Sequence, residues 1–263
     1  MQIGISTASL FGRKFTEEAL EFLANNNVPC AEVFLGSFCE YNNEFGKKLS
    51  QVKGNLNVHS FHILTTQVEP QLYSANPRAM EDSFKILENA LSCAKEIGAK
   101  YYTFHGGARF KKLPFKMNYA HVGKVTQRII DCAKAYDIDV AQENVHWGYY
   151  NYIGFFEELR KRTKGLKATL DIKQALLSGL TYQDYIKEMK EDIVTVHLLD
   201  VDEQGNMCLP GKGKLDFYEM FSMLKDVGFD GAILIEAYKD NFRDYQELFA
   251  SLSFLKEMAY RVF

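Results

Sequence analysis

Four short β-rich runs follow one another along the chain, and each ends in a side chain that can bind a metal or move a proton. They are Asp139-Val140-Ala141-Gln142-Glu143, Ala168-Thr169-Leu170-Asp171, Ile193-Val194-Thr195-Val196-His197 and Ala232-Ile233-Leu234-Ile235-Glu236. In a parallel barrel the C-terminal strand ends converge on one face, where such enzymes do chemistry. Two glutamates, an aspartate and a histidine meeting there make an oxygen-and-nitrogen ligand set for one divalent metal. Each residue taken singly has a plainer reading. Asp171 would serve as the N-cap of a helix over 172–178, and His197 as a hydrogen-bonded interior histidine. Taken together, three carboxylates at one barrel mouth repel one another unless a cation or a proton relieves them. A divalent ion is the simplest relief.

Other residues fall near the same face. His59 is expected to end the third strand and His105 the fourth, just ahead of Gly106-Gly107. Both imidazoles are read as substrate contacts, with a packed strand-end histidine as the alternative. The glycine pair suggests a close backbone approach to ligand. His62, His146 and Trp147 lie in adjoining loops, and His121 at a helix start on the surface. Asn144, next to Glu143, is an amide for support or substrate contact. Glu32 is a buried acid with a structural hydrogen-bonding role. Pro210-Gly211-Lys212-Gly213-Lys214 follows strand seven, where barrels often bind phosphate, but it lacks the P-loop pattern. Glycines that shape a turn are the simpler account of it. The basic run from Arg160 to Lys167 reads as a solvated helix end away from the site. The run from Arg109 to Lys116 lies on the catalytic face, as an anion contact or part of a lid. Neither has the extent of a duplex-binding surface.

The elements that position these residues alternate β and α throughout. Strands are expected at Gln2–Ser6, Ala31–Leu35, Leu56–Ser60, Tyr101–His105, Asp139–Glu143, Ala168–Asp171, Ile193–Leu198 and Ala232–Glu236. Helical periodicity covers Thr16–Asn26, Pro77–Ile97, Asn118–Tyr136, Phe155–Lys164, Asp216–Val227 and Asn241–Tyr260. Eight alternations within 263 residues, 47% of them hydrophobic, favour a single-domain (β/α)8 TIM barrel over 1–263. An open doubly wound sheet would want a glycine-rich loop after its first strand, and Thr7-Ala8-Ser9-Leu10-Phe11-Gly12 is not one. A net charge of −3 gives no general pull toward nucleic acid or anionic membrane. The five scattered cysteines form no CxxC pair and read as reduced thiols of a cytoplasmic protein. No run approaches membrane-spanning length.

With these residues in view, the chain resembles the xylose-isomerase-like barrel superfamily, in particular its sugar phosphate isomerase/epimerase branch. The marks are Val58-His59-Ser60, His105-Gly106-Gly107, Glu143-Asn144, Leu170-Asp171, His197-Leu198-Leu199-Asp200, Pro210-Gly211-Lys212-Gly213 with Asp216-Phe217, and Ile235-Glu236. The resemblance implies that Glu143, Asp171, His197 and Glu236 hold one divalent ion (Mn, Mg, Co or Zn). It also implies that Glu143 and Glu236 act as an acid–base pair, and that the substrate is a small carbohydrate, turned over through an enediolate. One departure is Gln174, where the family often has histidine three residues after the aspartate; Gln174 is expected to contact substrate instead. Endonuclease-four-type phosphodiesterases of the superfamily resemble the chain at His59, His105, Glu143, Asp171, His197 and Glu236. Their three-zinc cluster also needs that histidine and an Asp-x-His pair after strand seven, yet 202–214 contains no histidine. A phosphodiesterase and a non-catalytic sugar-binding barrel stand as alternatives, and assembly into a homo-oligomer stays open.

Overall fold

Apolar β-formers run together between helical stretches, and in the computed structural model each such run is a parallel strand. The structure describes residues 1–109 and 116–263, leaving out the side chains of Thr65 and Thr66. The strands are β1 (Gln2–Ser6), β2 (Cys30–Leu35), β3 (Asn57–Ile63), β4 (Tyr101–Phe104), β5 (Asp139–Glu143), β6 (Lys167–Asp171), β7 (Ile193–Leu198) and β8 (Ala232–Ile235). They close in chain order into one barrel, with β8 paired to both β7 and β1. The expected TIM barrel is therefore the observed fold.

Helices wrap the outside: α1 (Thr16–Asn25), α2 (Asn43–Val52), α3 (Pro77–Glu96), α4 (Tyr119–Lys134), α5 (Phe155–Arg160), α6 (Ile172–Leu177), α7 (Tyr182–Met189), α8 (Phe217–Asp226) and α9 (Tyr245–Val262). α3 starts where Asn76 Oδ1 accepts from the Arg78 N–H, and Pro77 loses no hydrogen bond in the first turn. The helices bury Leu20, Leu87, Ile129, Phe156, Phe221 and Leu255 against the outer face of the strands. Each such side chain is worth about 1.5–3 kcal/mol of burial, and trimming one to alanine costs roughly 2–5 kcal/mol. The sequence pattern did not announce α2, α7 or the small hairpin Asp200–Val201/Met207–Cys208. α5 ends at Arg160, short of the expected Lys164. Arg160 and Lys167 both pair with Asp192 there.

The barrel interior departs from the outer core. Hydrogen bonds between strands that are not neighbours can only cross it, and here they join polar groups. Thr103 of β4 donates to Glu32 of β2 at 2.7 Å and lies 3.5 Å from Thr169 of β6, while Ser60 on the neighbouring β3 adds a 2.8 Å bond to the same Glu32. Bulky branched residues fill this space in most such barrels. The register of β2 against β3 also shifts. Ala31 pairs with Val58 but Glu32 pairs with Ser60, which leaves His59 as an extra residue in a bulge.

Candidate active site

β5, β6, β7 and the residue after β8 deliver Glu143, Asp171, His197 and Glu236 to one point at the C-terminal mouth. One ligand atom from each lies within 4.8 Å of the others. His197 Nδ1 is the hub, 3.1 Å from Glu143 Oε1, 3.4 Å from Glu236 Oε2 and 4.0 Å from Asp171 Oδ2. Its other nitrogen, Nε2, is 2.9 Å from Glu32 Oε1. Asp171 serves two ends, since its Oδ1 caps α6 by accepting from the Gln174 N–H at 2.7 Å while Oδ2 faces the cluster. The helix-cap reading and the ligand reading of this residue therefore coexist.

Glu32 is the floor. Its buried carboxylate accepts from Ser6, Ser60 and Thr103 and holds His62 Nδ1 at 2.8 Å. A second carboxylate, Glu69, is also fully buried. It takes the Tyr102 hydroxyl at 2.5 Å and the His105 backbone N–H at 3.0 Å, with His105 Nδ1 at 3.2 Å. His105 Nε2 then lies 3.0 Å from Glu143 Oε2. That contact is close but out of line for a hydrogen bond, so the buried Oε2 has no aligned donor.

Burial and neighbouring charge set the protonation of the cluster. Burial alone would lift Glu143, but the imidazoles of His105 and His197 outweigh it and hold the carboxyl below its usual range. Burial alone would lower His197, yet Glu32, Glu236 and Glu143 hold it well above an ordinary imidazole. Asp171 is pushed up to about 7 by burial and by Glu143 and Glu236, against the opposing charge of Lys173 and His197. The cluster is thus a place for positive charge. Three carboxylates and one imidazole fit a divalent ion, which would take the place of the His197 Nδ1 proton because a ligating imidazole must be neutral. Glu32, His62 and Glu236 form a second group within the same distance, but the hydroxyls and imidazoles around Glu32 already use its oxygens.

A cavity of about 290 Å³ opens above the cluster, with Glu143, Glu236, His62, His105, Lys173 and Gln174 among its polar walls. Phe11, Phe34, Trp147 and Tyr238 make much of the remaining wall. His105 and Gln174, the other two expected substrate contacts, are in its lining, and Gln174 Oε1 is held by the His146 N–H at 3.2 Å and by His146 Nδ1 at 2.5 Å.

Two expected substrate contacts are corrected. His59 does not end its strand, because β3 runs on to Ile63. The bulge turns His59 into the lower barrel, 3.0 Å from the Val194 carbonyl oxygen and 3.1 Å from Thr195 Oγ1. His62, three residues on, is the β3 imidazole at the cavity. Asn144 is fully buried and clips β5 to β6, donating to the Asp171 carbonyl and accepting from the Asp171 N–H, both at 2.8 Å. It braces Asp171, and the cavity lining does not include it. The Gly106-Gly107 pair makes room for a ring and not for a ligand, since a Cβ on Gly107 would lie 2.2 Å from the Tyr149 side chain. The Pro210–Lys214 loop is already filled by an anion of its own. Asp200 Oδ2 accepts from the Gly211 and Gly213 N–H groups at 3.1 and 2.9 Å. Arg109 is exposed, 3.3 Å from Asn151 Oδ1, Lys116 is exposed, and 110–115 of the suggested lid lie outside the described residues. The five cysteines are all free.

Lys173, Tyr238 and Glu69 were missed. A lysine among the apolar residues of a short helix, two positions after a proposed ligand, was the available signal for the first. Glu69 gave none, because it sits in a turn of 3₁₀ helix (Glu69–Tyr73) between elements.

A barrel of this topology with an acid-and-imidazole cluster at its C-terminal mouth is the frame of a known class. The chain belongs to the xylose isomerase-like TIM barrel family, whose model matches residues 20–258. An inosose dehydratase from Clostridium perfringens is 25% identical over 192 residues, 68% of this chain and 55% of that protein, so the chain spans about half of that relative's length. The solved structure of a D-tagatose 3-epimerase-like protein superimposes with a TM-score of 0.80 at 21% identity, covering 100% of this chain and 98% of that one. A D-psicose 3-epimerase crystallised in the presence of D-fructose gives 0.78 at 15% identity, covering 100% and 99%. Among the described residues, no helix is long and apolar enough to cross a membrane.

Proposed function

We propose that the protein is a divalent-metal-dependent isomerase or epimerase of small polyhydroxylated ketones, with Glu143 and Glu236 as its two proton carriers. The observation that carries this is their placement. They come from β5 and from the end of β8, both line the cavity, and each turns one oxygen toward His197 Nδ1. Glu143, Asp171, His197 and Glu236 would hold the ion, which supplies Lewis-acid stabilisation of negative charge at the substrate carbonyl. Glu143, kept ionised by His105 and His197, removes the proton beside the carbonyl. Glu236, on another side of the cavity, returns a proton to the opposite face. In the reverse direction the roles exchange. Phe34, Trp147 and Tyr238 give the cavity aromatic walls beside the two carboxylates. The epimerase names of the structural neighbours support ketoses as the substrate class.

The dehydratase relative favours a second reading, in which the same proton abstraction is followed by loss of a hydroxyl group as water. One experiment separates the two. Metal-loaded protein is incubated in D₂O with a panel of ketopentoses, ketohexoses and inososes, and products are followed by NMR and mass. Deuterium beside the carbonyl of an isomerised sugar supports the isomerase, and loss of water the dehydratase. Turnover without label uptake would overturn the proton-transfer mechanism.

A further inference from the structure

Lys173 is buried on the cavity wall, and the roles assigned so far do not use it. It follows Asp171 by two residues, in the first turn of α6, and is 5% exposed. Its stem is covered, yet its ammonium reaches the cavity beside Glu236. Nζ is 3.0 Å from the Tyr238 hydroxyl, a hydrogen bond. It is 3.7 Å from Asp171 Oδ2 and 3.7 Å from Glu236 Oε2, near enough to be attracted and too far to be hydrogen-bonded.

An ammonium has three N–H donors. Tyr238 takes one, and among the described residues no other acceptor lies in range. The remaining donors belong to a residue on the cavity wall, where an oxygen from outside the protein can accept them. Gln174, at the next position, cannot fill that place through its carbonyl oxygen, because Oε1 is turned to His146. Lys173 offsets the charge of Asp171 and Glu236 from 3.7 Å, and does so without donating a hydrogen bond to either.

We propose that Lys173 is a substrate-binding residue whose ammonium donates to a carbonyl or hydroxyl oxygen of a polyhydroxylated ketone next to the carbon served by Glu236, with Tyr238 positioning it. The proposal rests on the isomerase or epimerase reading and names the group that reads the substrate at that site. It makes the wall that α6 forms an oxygen-recognising part of the cavity, whose lining also includes the apolar ring of Phe34.

The test uses the full chain loaded with Mn²⁺. Affinity for ketopentoses and ketohexoses, D-tagatose and D-fructose among them, is measured by calorimetry for the wild type, Lys173→Met and Lys173→Gln. Mn²⁺ affinity is measured on the same samples. The expected result is a loss of roughly 10–100-fold in ketose affinity in both variants, the usual size for a charge-assisted hydrogen bond, with Mn²⁺ held at least as tightly as before. Retained Mn²⁺ binding shows that the cluster is folded in each variant. Ketose binding equal to wild type in a Mn²⁺-binding variant overturns the proposal. A loss of ketose binding matched by a loss of Mn²⁺ also overturns it, because Lys173 would then act through the ligand carboxylates. If the wild type binds no ketose in the panel, the isomerase reading itself falls, a failure distinct from the other two.

Discussion

Two histidines three residues apart on β3 meet opposite conditions. His59, in the lower barrel, faces a carbonyl oxygen and a threonine hydroxyl and packs against Tyr101 at 4.9 Å between ring centroids. Burial pulls its imidazole down to about 4, so it is neutral in the folded protein. In the upper barrel His62 sits on Glu32, while His105 and His197 face pairs of carboxylates that push both above the ordinary imidazole range against the effect of burial. Depth is similar in the two regions and the residue type is the same. What differs is direct contact with buried carboxylates: Glu32 acts on His59 too weakly to offset burial, whereas Glu32, Glu69 and Glu143 lie directly against the upper imidazoles. His59 below is a neutral group, and the imidazoles His105 and His197 above share charge with the carboxylates they touch.

The largest expected effect lies in the upper half. Glu143→Gln and Glu236→Gln each remove a proton carrier and should lower kcat on the order of 10²–10⁴-fold, as measured on any sugar the wild type turns over. Near-wild-type kcat in either variant would erase the functional distinction between the halves.

The lower half gives the next effect, and it runs with pH. His59 titrates near 6.5 when unfolded and near 4 when folded, so between those values the unfolded chain binds a proton that the folded one refuses. The stability it contributes is present above pH 6.5 and is lost as pH falls toward 4, by roughly 3 kcal/mol at about 1.4 kcal/mol per unit. His59→Gln should flatten the denaturant-derived stability curve in that window. An unaltered slope would mean His59 is not held neutral.

Loading with Mn²⁺ at a hundredfold excess over its Kd should stabilise the protein by about 2.7 kcal/mol. Asp171→Asn should remove that gain and His59→Gln should keep it, which calorimetric melting can check. The smallest effect expected is at the floor: Glu32→Gln should weaken Mn²⁺ about 10–100-fold through loss of the carboxylate behind His197. Equal affinity would show that the upper layer needs no support from below.

Most of the barrel was legible because alternation of β-rich and helical segments is a local signal, and the strand bounds of β1, β5 and β7 follow it. The four-residue cluster was legible because each member ends such a run. His59 was misread for a reason no local pattern holds. A bulge against β2 adds one residue, so the strand continues past Ser60 and the cavity receives His62 in place of His59. Asn144 carried a polar amide next to a proposed ligand, and only the pairing of β5 with β6 shows that both its ends are spent on Asp171. Asp200 filling the glycine loop and Glu69 backing His105 are likewise contacts between distant segments. Lys173 was visible as a residue but not as a donor, since its exposure depends on how α6 meets the mouth.

The pairing of β8 with β1 has a consequence for how the protein is made. Residues 232–235 must be present before Gln2–Ile5 can find their second neighbour. Glu236 follows directly on that strand. On a growing chain β1 waits through the synthesis of every other barrel strand, with one edge open to wrong partners. Glu143, Asp171 and His197 lie on consecutive neighbours and can gather earlier, and the last member of the cluster arrives only when the ring shuts. High-affinity ion uptake during refolding would therefore mark the moment of ring closure, and a chain stalled short of Ala232 would present three of the four groups with no fourth to complete them.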